Sequence, residues 1–130
     1  MPKIDVAGVP VVKGTRYPKP HDEPCLAREN QPIGLAAGLT QFGVNITRLK
    51  PGVWSSQRHW HAKEDEFVYV LEGEAVLVTD AGEEILRAGD CAGFRAGARD
   101  GHCLQNRSAA DAVFLAIGSR DIGASTRTST

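Results

Sequence analysis

The chemistry of this 130-residue chain concentrates in three histidines and one glutamate: His59-Trp60-His61, Glu66 after four further residues, and His102. In a β-strand, side chains at i and i+2 leave the same face. His59 and His61 therefore reach one point while Trp60 turns away. A strand opening Glu66-Phe-Val-Tyr-Val-Leu follows. If it pairs antiparallel with the histidine strand, Glu66 faces the same interior, so the pattern reads as one metal site split over two β-hairpins. Neutral imidazoles with an ionised carboxylate suit a single divalent transition metal of the Fe, Mn, Ni, Cu or Zn kind. Four protein ligands in an octahedral sphere leave about two positions for water, substrate or dioxygen, which makes the site chemical rather than only structural.

Other polar residues invite a role beside this set. Gln57 shares strand parity with the two histidines, and Asn106 shares it with His102; both are candidate substrate contacts, with a structural hydrogen bond as the competing reading. Glu64 and Asp65 read best as an exposed acidic loop, although either would replace Glu66 if the register slipped. An inward arginine would favour an anionic substrate, but the pattern does not say whether Arg48 or Arg58 turns inward. No catalytic acid or base is identified, and His21 reads as a surface residue.

The elements that must position these groups are short strands. Residues 1–34 carry six of the seven prolines and read as an extended N-terminal arm, with an edge strand near Val9-Pro-Val-Val-Lys. From residue 35 to 119, alternating segments such as Phe42–Thr47 are separated by turn chemistry at Lys50-Pro-Gly, Glu72-Gly73, Asp80-Ala-Gly82 and Ala88-Gly-Asp90. Regular short strands without helical periodicity predict an all-β sandwich or barrel. The polar Ser/Thr-rich stretch 120–130 reads as a disordered tail.

Composition bounds the function class. Hydrophobic residues make up 42% and charged residues 24%, ordinary for one globular domain. A formal charge of −1 gives no electrostatic reason to expect nucleic acid or an anionic membrane as partner. The N-terminus lacks a signal-peptide pattern, so a cytoplasmic location is expected. Cys25, Cys91 and Cys103 form no C-x2-C pair and read as reduced thiols. Trp60, Phe67, Tyr69 and Leu71 share the face opposite the ligands, an apolar surface better covered by packing or a second subunit than left to water.

Two motifs carry a resemblance. The first reads Gly52-x6-His59-Trp-His61-x4-Glu66-x6-Gly73 and the second Gly89-x5-Arg95-Ala-Gly97-x4-His102-x3-Asn106. Together they resemble the paired motifs of the cupins, over about residues 35–118. Arg95 stands where the family has proline, and two extra residues precede His102. The wider text is similar to small bacterial cupins, some of which carry sugar-phosphate isomerase names. The resemblance implies a jelly-roll barrel, usually dimeric, with a metal held at the positions of His59, His61, Glu66 and His102. Fold alone does not choose an activity. Three readings follow: a Lewis-acid enzyme acting on a small oxygen-rich substrate, a metal-dependent dioxygenase, and a non-enzymatic small-ligand binder or sensor. An enzyme is favoured over a binder.

Overall fold

The alternation of apolar and polar residues settles into two facing antiparallel sheets in the computed structural model, which describes residues 2–120 and the backbone of Thr126–Thr128. The strands run in chain order as β1 (Val12–Lys13), β2 (Glu29–Gln31), β3 (Phe42–Leu49), β4 (His59–His61), β5 (Glu66–Glu72), β6 (Glu74–Thr79), β7 (Gly82–Arg87), β8 (Cys91–Phe94), β9 (Cys103–Gln105), β10 (Ala112–Ser119) and β11 (Thr126–Thr128). A single turn of helix, α1 (Ile33–Ala36), leans on β3. One sheet has the order β1-β2-β3-β10-β5-β8 and a second has β7-β6-β9. β4 pairs with β11, and a bridge between His59 and His102 joins β4 to the β9 side. This is the all-β sandwich or barrel architecture the strand spacing predicts, in the jelly-roll form the resemblance implies.

Period-two geometry sorts the large sheet into two faces. On β5, Val68 and Val70 are buried while Phe67, Tyr69 and Leu71 are exposed. The pairings Val70↔Phe114 and Val68↔Ala116, with Thr47↔Phe114 and Leu49↔Ala112, carry the inner face across β10 to β3. Leu77, Leu86 and Leu104 close the core from the second sheet. The chain changes sheets between β5 and β6 at Gly73, whose φ is +71°. A Cβ there would collide with the Asp111 carbonyl oxygen and lie 3.2 Å from Ala112 Cα, so only glycine fits this corner.

Three features depart from the sequence reading. First, β4 and β5 do not form a hairpin: β5 pairs with β10 and β8, whereas β4 belongs to the opposite layer. Second, the N-terminal segment is more than a covering arm, since β2 enters the large sheet beside β3 (Glu29↔Arg48, Gln31↔Ile46). Third, the stretch 120–130 expected to be disordered lies mostly outside the described residues; within it, Thr126–Thr128 is strand β11. The three cysteines are unpaired. No helix among the described residues is long and apolar enough to cross a membrane.

Candidate metal centre

The four predicted donors meet between the two sheets. His59 and His61 project from β4 as an i, i+2 pair with ring centroids 4.9 Å apart. Glu66, at the start of β5, continues the inward parity of Val68 and Val70 from the facing layer. Its Oε2 lies 3.0 Å from His61 Nε2 and 3.8 Å from His59 Nε2. Its Oε1 lies 3.0 Å from His102 Nε2. The two extra residues before His102 do not displace it. Reciprocal backbone hydrogen bonds with His59, at 3.2 and 2.9 Å, lock its register. Phe94 stacks on its ring at a centroid distance of 3.6 Å and an interplanar angle of 4°.

The groups behind the donors fix which ring nitrogen turns inward. His59 Nδ1–H donates to the Gln57 carbonyl at 3.0 Å, with Ser56 Oγ at 3.1 Å. His61 Nδ1 lies 3.3 Å from Glu64 Oε1. In both rings Nε2 is left facing Glu66. Outer partners of this kind orient metal-binding imidazoles and set their tautomer. Glu64 is thus neither an idle loop residue nor a substitute for Glu66; it sits one layer behind, on His61. Asp65 accepts the Ala96 N–H at 2.8 Å and braces the loop.

Electrostatics reflect the crowding. Burial alone would push the Glu66 carboxyl up, but hydrogen bonds from His102, His59 and His61 outweigh it and hold the group far below the usual carboxylate range. Burial disfavours a charged His59 ring; hydrogen bonding to Glu66 and to the Gln57 carbonyl overrides this and raises its pKa above the ordinary 6.5. The carboxylate is ionised and the imidazoles compete to donate to it, which is what a cation would do in their place. Donor atoms of His59, His61 and Glu66 all lie within 4.8 Å of one another, about twice a metal–ligand bond of ~2.1 Å. His102 Nδ1 is buried without a partner. The donor set fits a borderline divalent transition metal.

The two candidate substrate contacts make the structural hydrogen bonds of the competing reading. Gln57 lies in the bent segment before β4, so the strand parity that would turn it inward never begins; its amide donates to the His21 carbonyl at 2.8 Å and pins the N-terminal segment. Asn106 is 1% exposed, and its Nδ2 donates to the Leu49 and Ala110 carbonyls, both at 2.8 Å. Its Oδ1 accepts from the Ser108 N–H and hydroxyl. Neither Arg48 nor Arg58 reaches the interior: Arg48 pairs with Asp111 at 3.2 Å, and Arg58 with Asp80 and the Gly101 carbonyl. Instead Arg28, just before β2, lines a cavity of about 300 Å³ together with His59, His61, Glu66 and His102. Asn30 and Asn45 line it as well. Asn45 was the legible signal, since it shares parity with buried Thr47 and Leu49 on β3; Arg28 had none.

Comparison with known proteins places this geometry. The family model described as Cupin domain matches residues 45–118. A crystal structure of a sugar phosphate isomerase from a cupin superfamily, from Silicibacter pomeroyi, shares 44% identity and a TM-score of 0.95 over 98% of this chain and 82% of that one. The polyketide cyclase RemF from Streptomyces resistomycificus shares the fold at 20% identity and a TM-score of 0.77, covering 100% of this chain and 86% of its own. A Cupin_2 domain of an XRE family transcriptional regulator from Enterobacter cloacae does so at 24% identity and a TM-score of 0.60, covering 72% and 97%. No curated protein sequence matches the chain.

Proposed function

This chain belongs to the cupin family, and from that premise we propose that it is a metal-dependent enzyme acting on a small oxygen-rich substrate. Its chemistry would be of the sugar-phosphate isomerase kind. The observation that carries the proposal is the convergence of His59, His61, Glu66 and His102 in the lining of a cavity of about 300 Å³. That volume suits a small ligand. These four residues would hold one divalent transition metal. When bound, such an ion supplies Lewis acidity toward a carbonyl or hydroxyl oxygen.

The chain's own residues do the rest. Glu64 and the Gln57 carbonyl keep Nε2 of His61 and His59 turned inward. Phe94 holds the His102 plane. Val68, Phe114 and Ala116 wall the cavity with apolar surface and limit water, while the Asn30 and Asn45 amides offer hydrogen bonds to substrate oxygens. Support for the isomerase direction comes from the 44%-identical neighbour.

One observation favours a second reading, oxygenation by a redox-active metal. Apart from the four donors, the only side chains among the described residues that line the cavity and carry a titratable proton are Arg28 and Cys103. Dioxygenase chemistry needs no separate acid–base pair. Oxygen uptake with an iron-, nickel- or copper-loaded chain separates the two readings. The exposed row of Phe67, Tyr69 and Leu71 further supports a homodimer. The free cysteines suit a reducing, cytoplasmic compartment.

The decisive measurement is elemental analysis of natively purified protein beside a His61→Ala variant. We expect one metal per chain in the first. The variant should bind more than about 10-fold more weakly, because losing a ligand exceeds the ~10–100-fold cost typical of outer-partner changes. Equal metal content in the two proteins overturns the assignment.

A further inference from the structure

Arg28 is the cation in this cavity that the metal reading leaves unused. It lies between the turn at Glu23–Cys25 and β2, and the pairing of β2 with β3 carries its side chain to the cavity wall. Two of its donors are committed to the scaffold: Nη1 to the Ser55 carbonyl at 2.8 Å and Nη2 to the Gly14 carbonyl at 3.1 Å. The third nitrogen, Nε, is buried and has no hydrogen-bond partner. Among the described residues no carboxylate pairs with the guanidinium. A half-buried cation whose Nε–H is shut off from water and unsatisfied is costly unless an anion meets it.

The neighbouring amides are arranged to donate as well. Thr47 Oγ1 donates to Asn30 Oδ1 at 2.9 Å, and Asn30 Nδ2 donates to Asn45 Oδ1 at 3.0 Å. This relay uses the acceptors of both amides and leaves Asn45 Nδ2 without a protein acceptor among the described residues. Arg28 and Asn45 line the same cavity as the four metal-type donors. The lining of one cavity thus holds both the donors for a cation and unspent N–H groups.

We propose that Arg28 Nε and Asn45 Nδ2 form an oxyanion subsite that holds the carboxylate or phosphate of a small substrate whose other oxygens reach the metal-type cluster. The inference rests on the functional reading above for its second half only. Arg28 acts as a specificity residue: it selects anionic over neutral polyols and fixes which end of the substrate faces His59, His61, Glu66 and His102. Among the described residues no lysine and no second arginine lines the cavity, so a single anionic group is the match.

The test observes the Arg28 Nε–H resonance in the zinc-treated, isotope-labelled full chain during separate titrations with glycolate and inorganic phosphate. The resonance should shift on saturation with at least one of them and stay still with ethylene glycol. A response to glycolate alone assigns a carboxylate, a response to phosphate alone a phosphate, and a response to both the general oxyanion class. An Nε–H indifferent to both anions overturns the proposal. Arg28→Met should weaken anion affinity more than about 10-fold with zinc content unchanged. Because Arg28 also ties Ser55 and Gly14 in place, Asn45→Ala serves as a second variant that cuts no scaffold bond to Arg28. His61→Ala separates the two claims. Zinc binding unimpaired by His61→Ala, with the Nε–H response intact, ends the metal reading and keeps the subsite; zinc binding lost in His61→Ala, with an Nε–H silent in the unsubstituted chain, does the reverse.

Discussion

At the scale of single residues, the strength of the site lies behind its donors. Glu64 touches no other member of the cluster except His61, at 3.3 Å from Nδ1, yet it decides where the other nitrogen points. Glu64→Gln keeps the shape and removes the charge, and it should weaken metal affinity about 10–100-fold while circular dichroism stays unchanged. Equal affinity in a competitive chelator titration would show that His61 is oriented by packing alone. The same residues set opposite pH responses with and without metal. Glu66 is held below its ordinary 4.5, so its contribution to stability is present above that value and is lost as pH falls toward the folded one. His59 is raised above 6.5, so its contribution is complete below 6.5 and is lost as pH rises through the folded value. The chelator-treated chain should therefore be most stable between 4.5 and 6.5 and should lose Tm as pH rises above that window. Metal affinity should climb over the same upper range, because binding expels the His59 proton. A metal-free Tm that rises steadily across neutral pH contradicts this account.

At the scale of elements, one corner carries the placement of Glu66. Gly73 lets β5 leave the large sheet against Asp111 and Ala112, and Glu66 lies seven residues upstream on that strand. Gly73→Ala meets both a positive φ and backbone atoms that cannot move aside. It should cost more than about 1 kcal/mol of stability in urea unfolding, with a drop in bound metal; a neutral effect would mean the corner relaxes. Such corners were readable in advance, since Glu72-Gly73 advertises a turn, and so was the i, i+2 pair of histidines. Pairing partners were not. β4 is three residues long, and what it bonds to, His102 and β11, lies more than forty residues away. β2 is Glu-Asn-Gln, a sequence with no strand propensity of its own, and its pairing with β3 comes from tertiary context. Arg28 was invisible for that reason: its inward position follows from a strand that local pattern does not encode. Gln57 and Asn106 lie just outside their strands. Strand parity stops at the ends of β4 and β9, and beyond them the carbonyls of His21, Leu49 and Ala110 accept from the two amides.

At the scale of the whole molecule, the large sheet has an inner face filled by core and cavity and an outer face that is apolar where water should be. Phe67 and Tyr69 are each 39% exposed and Leu71 is 43% exposed. Antiparallel partners share a face, so Ile117 beside Phe67 and Leu115 beside Tyr69 widen the row across β10. Ile46 beside Leu115 continues it onto β3, until α1 covers the neighbouring Val44. A monomer seldom keeps such a continuous stripe, and a second copy of this chain laid across it satisfies the isologous symmetry most homodimers use. Because the stripe occupies alternate positions of the same strands that carry Glu66, Val68 and Phe114, dimerisation would clamp the sheet that forms one wall of the metal cavity. Phe67→Glu combined with Leu71→Glu places two charges on each partner at the proposed contact without touching the inner face. Analytical ultracentrifugation should find a dimer for the unsubstituted chain and a monomer for this variant. Metal content should be retained, since every donor lies on the other side of the sheet. A monomeric unsubstituted chain at about 100 μM, well above the Kd expected of a standard-sized interface, would leave the stripe without a second subunit and remove the dimer from the account.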